Sequence, residues 1–135
     1  MTGRILEYGL FEFGPGKPGA RETRFTSHGD VITARLGSQF GFRFRLDNVP
    51  KGASVDLETY VTHPPIAMPN GETRTRYALL TTIPVTNGSA ISVTGYSFDR
   101  PAEMAPGVWT FTHKFHGRMI VEKSFTVRAP EYPTM

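Results

Sequence analysis

Residues 106–127 read Pro106-Gly-Val-Trp109-Thr-Phe111-Thr-His113-Lys-Phe115-His116-Gly117-Arg-Met119-Ile-Val121-Glu-Lys123-Ser-Phe125-Thr-Val127. Trp109, Phe111, His113 and Phe115 share one parity, with Thr110, Thr112 and Lys114 on the other. Met119, Val121, Lys123, Phe125 and Val127 alternate the same way after the glycine. A period of two carried by aromatic and β-branched side chains marks half-buried strands. The stretch is therefore two strands folded back on each other. A two-residue turn at His116-Gly117 with unbroken strands would set Trp109 and Phe111 on the face of Glu122 and Ser124. A slip of one residue inverts a whole face, so that register is disfavoured. A three-residue loop over 115–117, with Gly117 at positive φ, pairs His113 with Met119, Phe111 with Val121 and Trp109 with Lys123. A bulge within the strands restores the match equally well.

The rest of the chain has the same character. In residues 40–46, Phe40, Phe42, Phe44 and Leu46 face inward while Gly41, Arg43 and Arg45 face out. Val55, Leu57, Thr59 and Val61 then alternate with Asp56, Glu58 and Tyr60. Residues 4–13 form a first strand whose parity switches at Gly9-Leu10, as if it passed from one sheet to another across a glycine bulge. Residues 31–36, 73–85 and 90–98 are further strands, the last two joined by an Asn87-Gly88 hairpin turn. Leu79/Ile83 and Ile91/Val93 imply conflicting registers across that turn, so the buried face of this pair stays open. Residues 14–29, rich in glycine and proline, read as a long irregular loop, and residues 63–71 as a proline-stiffened one. Residues 99–104 suit one helical turn. No segment keeps a helical period, and seven or eight short strands point to an all-β antiparallel sandwich.

A length of 135 residues fits one domain. We place it at residues 1–128, with 129–135 as a C-terminal tail. The composition, 39% hydrophobic and 20% charged, is that of a soluble globular protein. No run approaches the ~18 apolar residues that span a bilayer, so no membrane insertion is expected. The N-terminus lacks an apolar signal-peptide core, and the compartment stays open between cytoplasm and secretion after processing. The absence of cysteine removes disulfides, thiolate catalysis and cysteine-ligated zinc. The net charge of +3 is spread along the chain; it permits an anionic partner without requiring one.

Residues able to carry chemistry are few. His113 and His116 fall on opposite sides of a strand or in its turn, and no third ligand stands at metal-binding spacing, so neither a metal site nor a cofactor is expected. His113 reads as a partly buried strand residue bonded through one ring nitrogen. No serine sits in a Gly-x-Ser-x-Gly elbow, and Asp56 and Glu58 share a solvated face. The notable polar feature is Arg43/Arg45 with Arg74/Arg76, two pairs facing outward, with Tyr60 nearby. Guanidinium groups beside an aromatic platform hold nucleic acid or acidic polysaccharide. Cross-strand ion pairing with Asp47, Asp56 and Glu58 is the more economical reading of the same residues.

The Pro106-Gly107-x-Trp109 start and Lys-Ser-Phe-Thr-Val ending of the hairpin resemble the last strands of bacterial immunoglobulin-like domains. With residues 4–9 and the Phe-x-Phe-x-Leu-x-Asn-Val-Pro-Lys-Gly run at 42–52, the chain resembles an uncharacterised bacterial family of domain-of-unknown-function proteins. That resemblance implies an immunoglobulin-like sandwich and no activity. The expected function is a non-enzymatic binding or assembly module acting through a sheet face, a strand edge or the loops at 14–29 and 63–71. Its partner would be another protein, or a second copy joined by strand edges. The alternative is an anion-binding module using Arg43, Arg45, Tyr60, Arg74 and Arg76. A hydrolase ranks last.

Overall fold

The computed structural model describes residues 1–13 and 22–130. Nine strands lie among these residues: β1 (Thr2–Phe13), β2 (Thr23–His28), β3 (Val31–Thr33), β4 (Gln39–Asp47), β5 (Ser54–Ala67), β6 (Thr73–Pro84), β7 (Ala90–Ser97), β8 (Gly107–Phe115) and β9 (Arg118–Arg128). They form a four-stranded sheet, ordered β2-β1-β4-β7, and a five-stranded sheet, ordered β3-β9-β8-β5-β6. The expected sandwich is present with one strand more. Pairing is antiparallel except between β3 and β9, which run parallel. A 3₁₀ turn occupies Pro101–Glu103, where the sequence suggests a helical turn.

The core follows from the alternation. Phe40, Phe42, Phe44 and Leu46 of β4 are fully buried, facing Val55, Leu57 and Val61 of β5 and Trp109 and Phe111 of β8 across the sandwich. The rings of Phe40 and Trp109 meet edge to face at 5.6 Å, an arrangement aromatic pairs favour. The indole Nε1 donates to the Ala105 carbonyl at 3.0 Å, so Trp109 is buried without a stranded donor.

His113 is also fully buried. Both ring nitrogens are bonded rather than one: Nδ1 lies 2.8 Å from Thr59 Oγ1 on β5 and Nε2 2.6 Å from Thr94 Oγ1 on β7, in the other sheet. A threonine hydroxyl both donates and accepts, so a neutral imidazole, donating from one nitrogen and accepting at the other, is fully satisfied by this pair.

Several expectations are corrected. The three-residue loop over 115–117 does not form: the β8–β9 turn is the two-residue His116-Gly117 turn, with φ of 49 and 79. The other alternative, a bulge within the strands, restores the alternation between His113 and Lys114. Ile120 is the extra residue, so His113 pairs with Val121, Phe111 with Lys123 and Trp109 with Phe125. The first strand does not change sheets: β1 pairs with β2 and β4 along its length. The crossing comes at Gly29-Asp30, between β2 and β3, where the Asp30 carbonyl receives the Thr126 amide. The second parity of β1 has another cause. Gly9, Gly41 and Gly95 pair in a row across β1, β4 and β7, and the Phe11 ring lies on the outer face where a Gly95 side chain would stand.

The loop assigned to 14–29 contains β2, and residues 14–21 lie outside the described residues. β2 is an edge strand with Phe25 its one large apolar residue, too little to show alternation. The loop assigned to 63–71 is strand as far as Ala67, because an irregularity between Thr62 and Ile66 absorbs Pro64 and Pro65 and returns Ile66 to the core. The Asn87-Gly88 turn forms, yet after one bridge between Thr86 and Ser89 its arms part into different sheets. The conflict of registers vanishes because β6 and β7 do not pair. Residues 131–135 of the expected tail also lie outside the described residues.

Candidate binding surface

The arginine pairs are parted by the sandwich. Arg43 and Arg45 belong to β4 in the four-stranded sheet, Arg74 and Arg76 to β6 in the five-stranded sheet. Arg43 donates from Nε to Glu7 Oε2 at 2.9 Å and from Nη2 to the Thr23 carbonyl at 2.5 Å, with its guanidinium over Phe25. Bonds from His28 and Arg43 hold the Glu7 carboxyl below its ordinary pKa. Arg45 donates to Asp47 at 2.9 Å. Of the anticipated acidic partners, Asp47 is used; Asp56 instead accepts from Thr82, and Glu58 from the Tyr60 hydroxyl.

Arg74 enters a network that sequence reasoning missed. Its Nε donates to His63 Nε2 at 3.2 Å and its Nη2 to the Tyr96 hydroxyl at 3.1 Å; Tyr96 donates on to Glu103 Oε2 at 2.6 Å. His63 Nδ1 donates to the Pro64 carbonyl, leaving Nε2 as acceptor. Burial, with Arg74 adding to it, pushes the His63 pKa down. Burial raises Tyr77 and Tyr96 to about 12. For Glu103 burial acts upward, but the bonds from Tyr96 and from the Arg100 and Asp99 amides outweigh it and lower the pKa. These groups tie β5, β6, β7 and the 3₁₀ turn together at one end of the sandwich. Among the described residues no cluster of His, Asp and Glu could hold a metal ion. The His28–Glu7 contact at 3.2 Å is open to solvent and shares its carboxylate with Arg43. Among the described residues no helix is long and apolar enough to cross a membrane.

The structure does bring Tyr60 and Arg76 together. They line a shallow hollow of about 450 Å³ with Val61, Thr62, Tyr77 and Ala78, and Lys114 lies over the Tyr60 ring. Among the described residues Arg76 makes no hydrogen bond or ion pair. A larger open hollow, about 870 Å³, lies on the outer face of the four-stranded sheet between Phe11, Gln39, Arg43 and Ile91. Gln39 Oε1 is buried there without a hydrogen-bond partner.

The hollow beside Tyr60 borders β6, the outermost strand of its sheet. Edge strands present unpaired N–H and C=O groups, which proteins blunt with charge, brevity or bulges. At the opposite edge β3 is only three residues long. β6 runs for twelve residues, and no charged side chain or histidine occurs anywhere in residues 77–98. Leu79 and Leu80 are 49% and 63% exposed on it. The direction of its backbone groups follows from one bond. The Val85 amide donates to the Ala53 carbonyl at 2.9 Å, in line with the pairing of Pro84 with Ser54 and Ile83 with Val55. Bonded pairs alternate in an antiparallel ladder, so Ile83, Thr81, Leu79 and Tyr77 turn toward β5. Thr82, Leu80, Ala78 and Arg76 turn their N–H and C=O groups outward. Pro84 falls in the outward set, where a missing N–H breaks no bond within the sheet. The signal that would have found this edge is the charge-free run itself, beginning directly after Arg76.

Two face-to-face sheets with these crossings and a tryptophan packed between them define an immunoglobulin-like domain. The chain belongs to the domain of unknown function family DUF3859, whose profile matches residues 1–127. It is similar to a solved structure, an immunoglobulin-like protein from Pseudomonas aeruginosa. That protein is 27% identical, with 95% of this chain and 98% of that chain covered and a TM-score of 0.69. No curated protein matches it.

Proposed function

We propose that this domain is a non-enzymatic binding module that recruits a partner strand along the free edge of β6. The observation that carries the reading is an edge free of charge from residue 77 to 84, with Ala78 and Leu80 directing backbone donors and acceptors outward. Strand addition draws affinity from such main-chain groups and selectivity from flanking side chains. Leu79 and Leu80 add apolar surface, with Arg76 on the same strand and Tyr60 beside it on β5. An immunoglobulin-like fold and a family of unknown function fit a non-enzyme.

Photo-crosslinking tests the reading. Benzoylphenylalanine is placed in expressing cells at Leu80 or, as a control, at exposed Val108 on β8. A crosslinked product at Leu80 alone, lost when Ala78→Pro removes an outward amide, is expected. Equal products at both positions, or a product indifferent to Ala78→Pro, would overturn it.

A second reading, anion binding, is favoured by the one hollow that joins Tyr60 to Arg76. Salt-sensitive retention on heparin should then be lost in Arg76→Ala and kept in Arg45→Ala. Retention unchanged by Arg76→Ala rules it out.

A further inference from the structure

We infer that the strand received by β6 is β6 of a second copy of this chain, so that two five-stranded sheets join into one continuous sheet; this rests on the edge-binding reading above. Antiparallel pairing matches outward-bonding residues with each other, and here those are the even-numbered ones. With the two-fold axis at Leu79, Ala78 faces Leu80 of the second copy and Leu80 faces its Ala78. Arg76 then faces Thr82, Arg74 faces Pro84, and Leu79 meets Leu79. Small side chains oppose large ones, and no arginine opposes an arginine. Like charges placed directly opposite would destabilise the pair, and aliphatic contacts support it. The interface is isologous, because the same patch serves both copies, and so it closes at two.

Residues 77–84 offer a differently charged partner nothing to recognise. They offer a copy of themselves two leucines, each partly exposed in the single chain. Arg74 is held back by His63 and Tyr96, which leaves Arg76 as the flanking cation.

Sedimentation velocity from sub-micromolar to high-micromolar concentration tests the inference. A concentration-dependent dimer is expected in the native chain, weakened roughly tenfold or more by Leu80→Lys and by Ala78→Pro. Near-ultraviolet circular dichroism checks that each variant stays folded. Since the chain has no cysteine, Leu79→Cys supplies an independent readout. Residues facing each other across an unbonded pair lie about 4.5 Å apart at Cα, within disulfide reach. Mild oxidation should therefore link Leu79→Cys chains into covalent dimers. A native chain that stays monomeric throughout, or a dimer indifferent to both edge substitutions, overturns self-pairing. Crosslinking of Leu80 to a different protein would then still stand for the edge reading, so the two failures are separable.

Discussion

At the scale of single residues, His113 shows how a polar group enters an aromatic core. Its parity with Trp109 and Phe111 is legible in the sequence; its two threonine partners, one from each sheet, are not, because Thr59 and Thr94 are distant in the chain. Burial holds its pKa at about 4 against an ordinary value of 6.5. Below that ordinary value the unfolded chain takes up a proton that the folded imidazole refuses. The contribution to stability is therefore complete above pH 6.5 and is lost as the pH falls toward 4. We expect the urea midpoint to drop between about pH 7.5 and pH 5. The slope should be shallower in His113→Gln, which stays polar without titrating; an equal slope in both proteins would show that another group governs it. His113→Ala should cost roughly 2–5 kcal/mol, since it opens a cavity and strands two hydroxyls.

At the scale of elements, β6 and the glycine row make opposite demands on the backbone. Ala78→Pro removes an outward amide and should change stability by roughly 1 kcal/mol or less, whereas Leu79→Pro removes a bond to β5 and should cost about 3 kcal/mol or more. Comparable losses in urea titrations of the two variants would show that the bonding phase assigned to β6 is inverted. In the other sheet, a side chain at Gly41 would collide with the Thr94 carbonyl and the Gly95 backbone. Gly41→Ala should therefore part β4 from β7 and leave little soluble folded protein, measured by expression and circular dichroism. The β4 and β5 faces were legible because one side of β4 is wholly apolar and one side of β5 is mostly so, Thr59 and His63 being its buried polar members. β2 was not, since an edge strand with one large apolar residue has no alternation to display.

At the scale of the whole molecule, Trp109 reports on both sheets at once. Its ring touches Phe40 of β4, Tyr96 of β7 and His63 of β5. Loss of its buried fluorescence should coincide with loss of the β signal in circular dichroism, as for a single cooperative unit. Separate transitions would mean that the sheets come apart independently. Of the anticipated binding residues, Tyr60 and Arg76 meet in one hollow, while Arg43 and Arg45 lie in the other sheet among acidic partners. Periodicity in the sequence by itself determined the all-β sandwich, the inward faces of β4, β5 and β8, and a hairpin around Gly117, because side-chain direction in a strand is a local property. Which sheet each strand joins, where the chain crosses between sheets and which strands end as edges were decided only in the tertiary structure. Those outcomes depend on contacts between residues far apart in the chain, and an unpaired edge is defined by the neighbour that does not arrive.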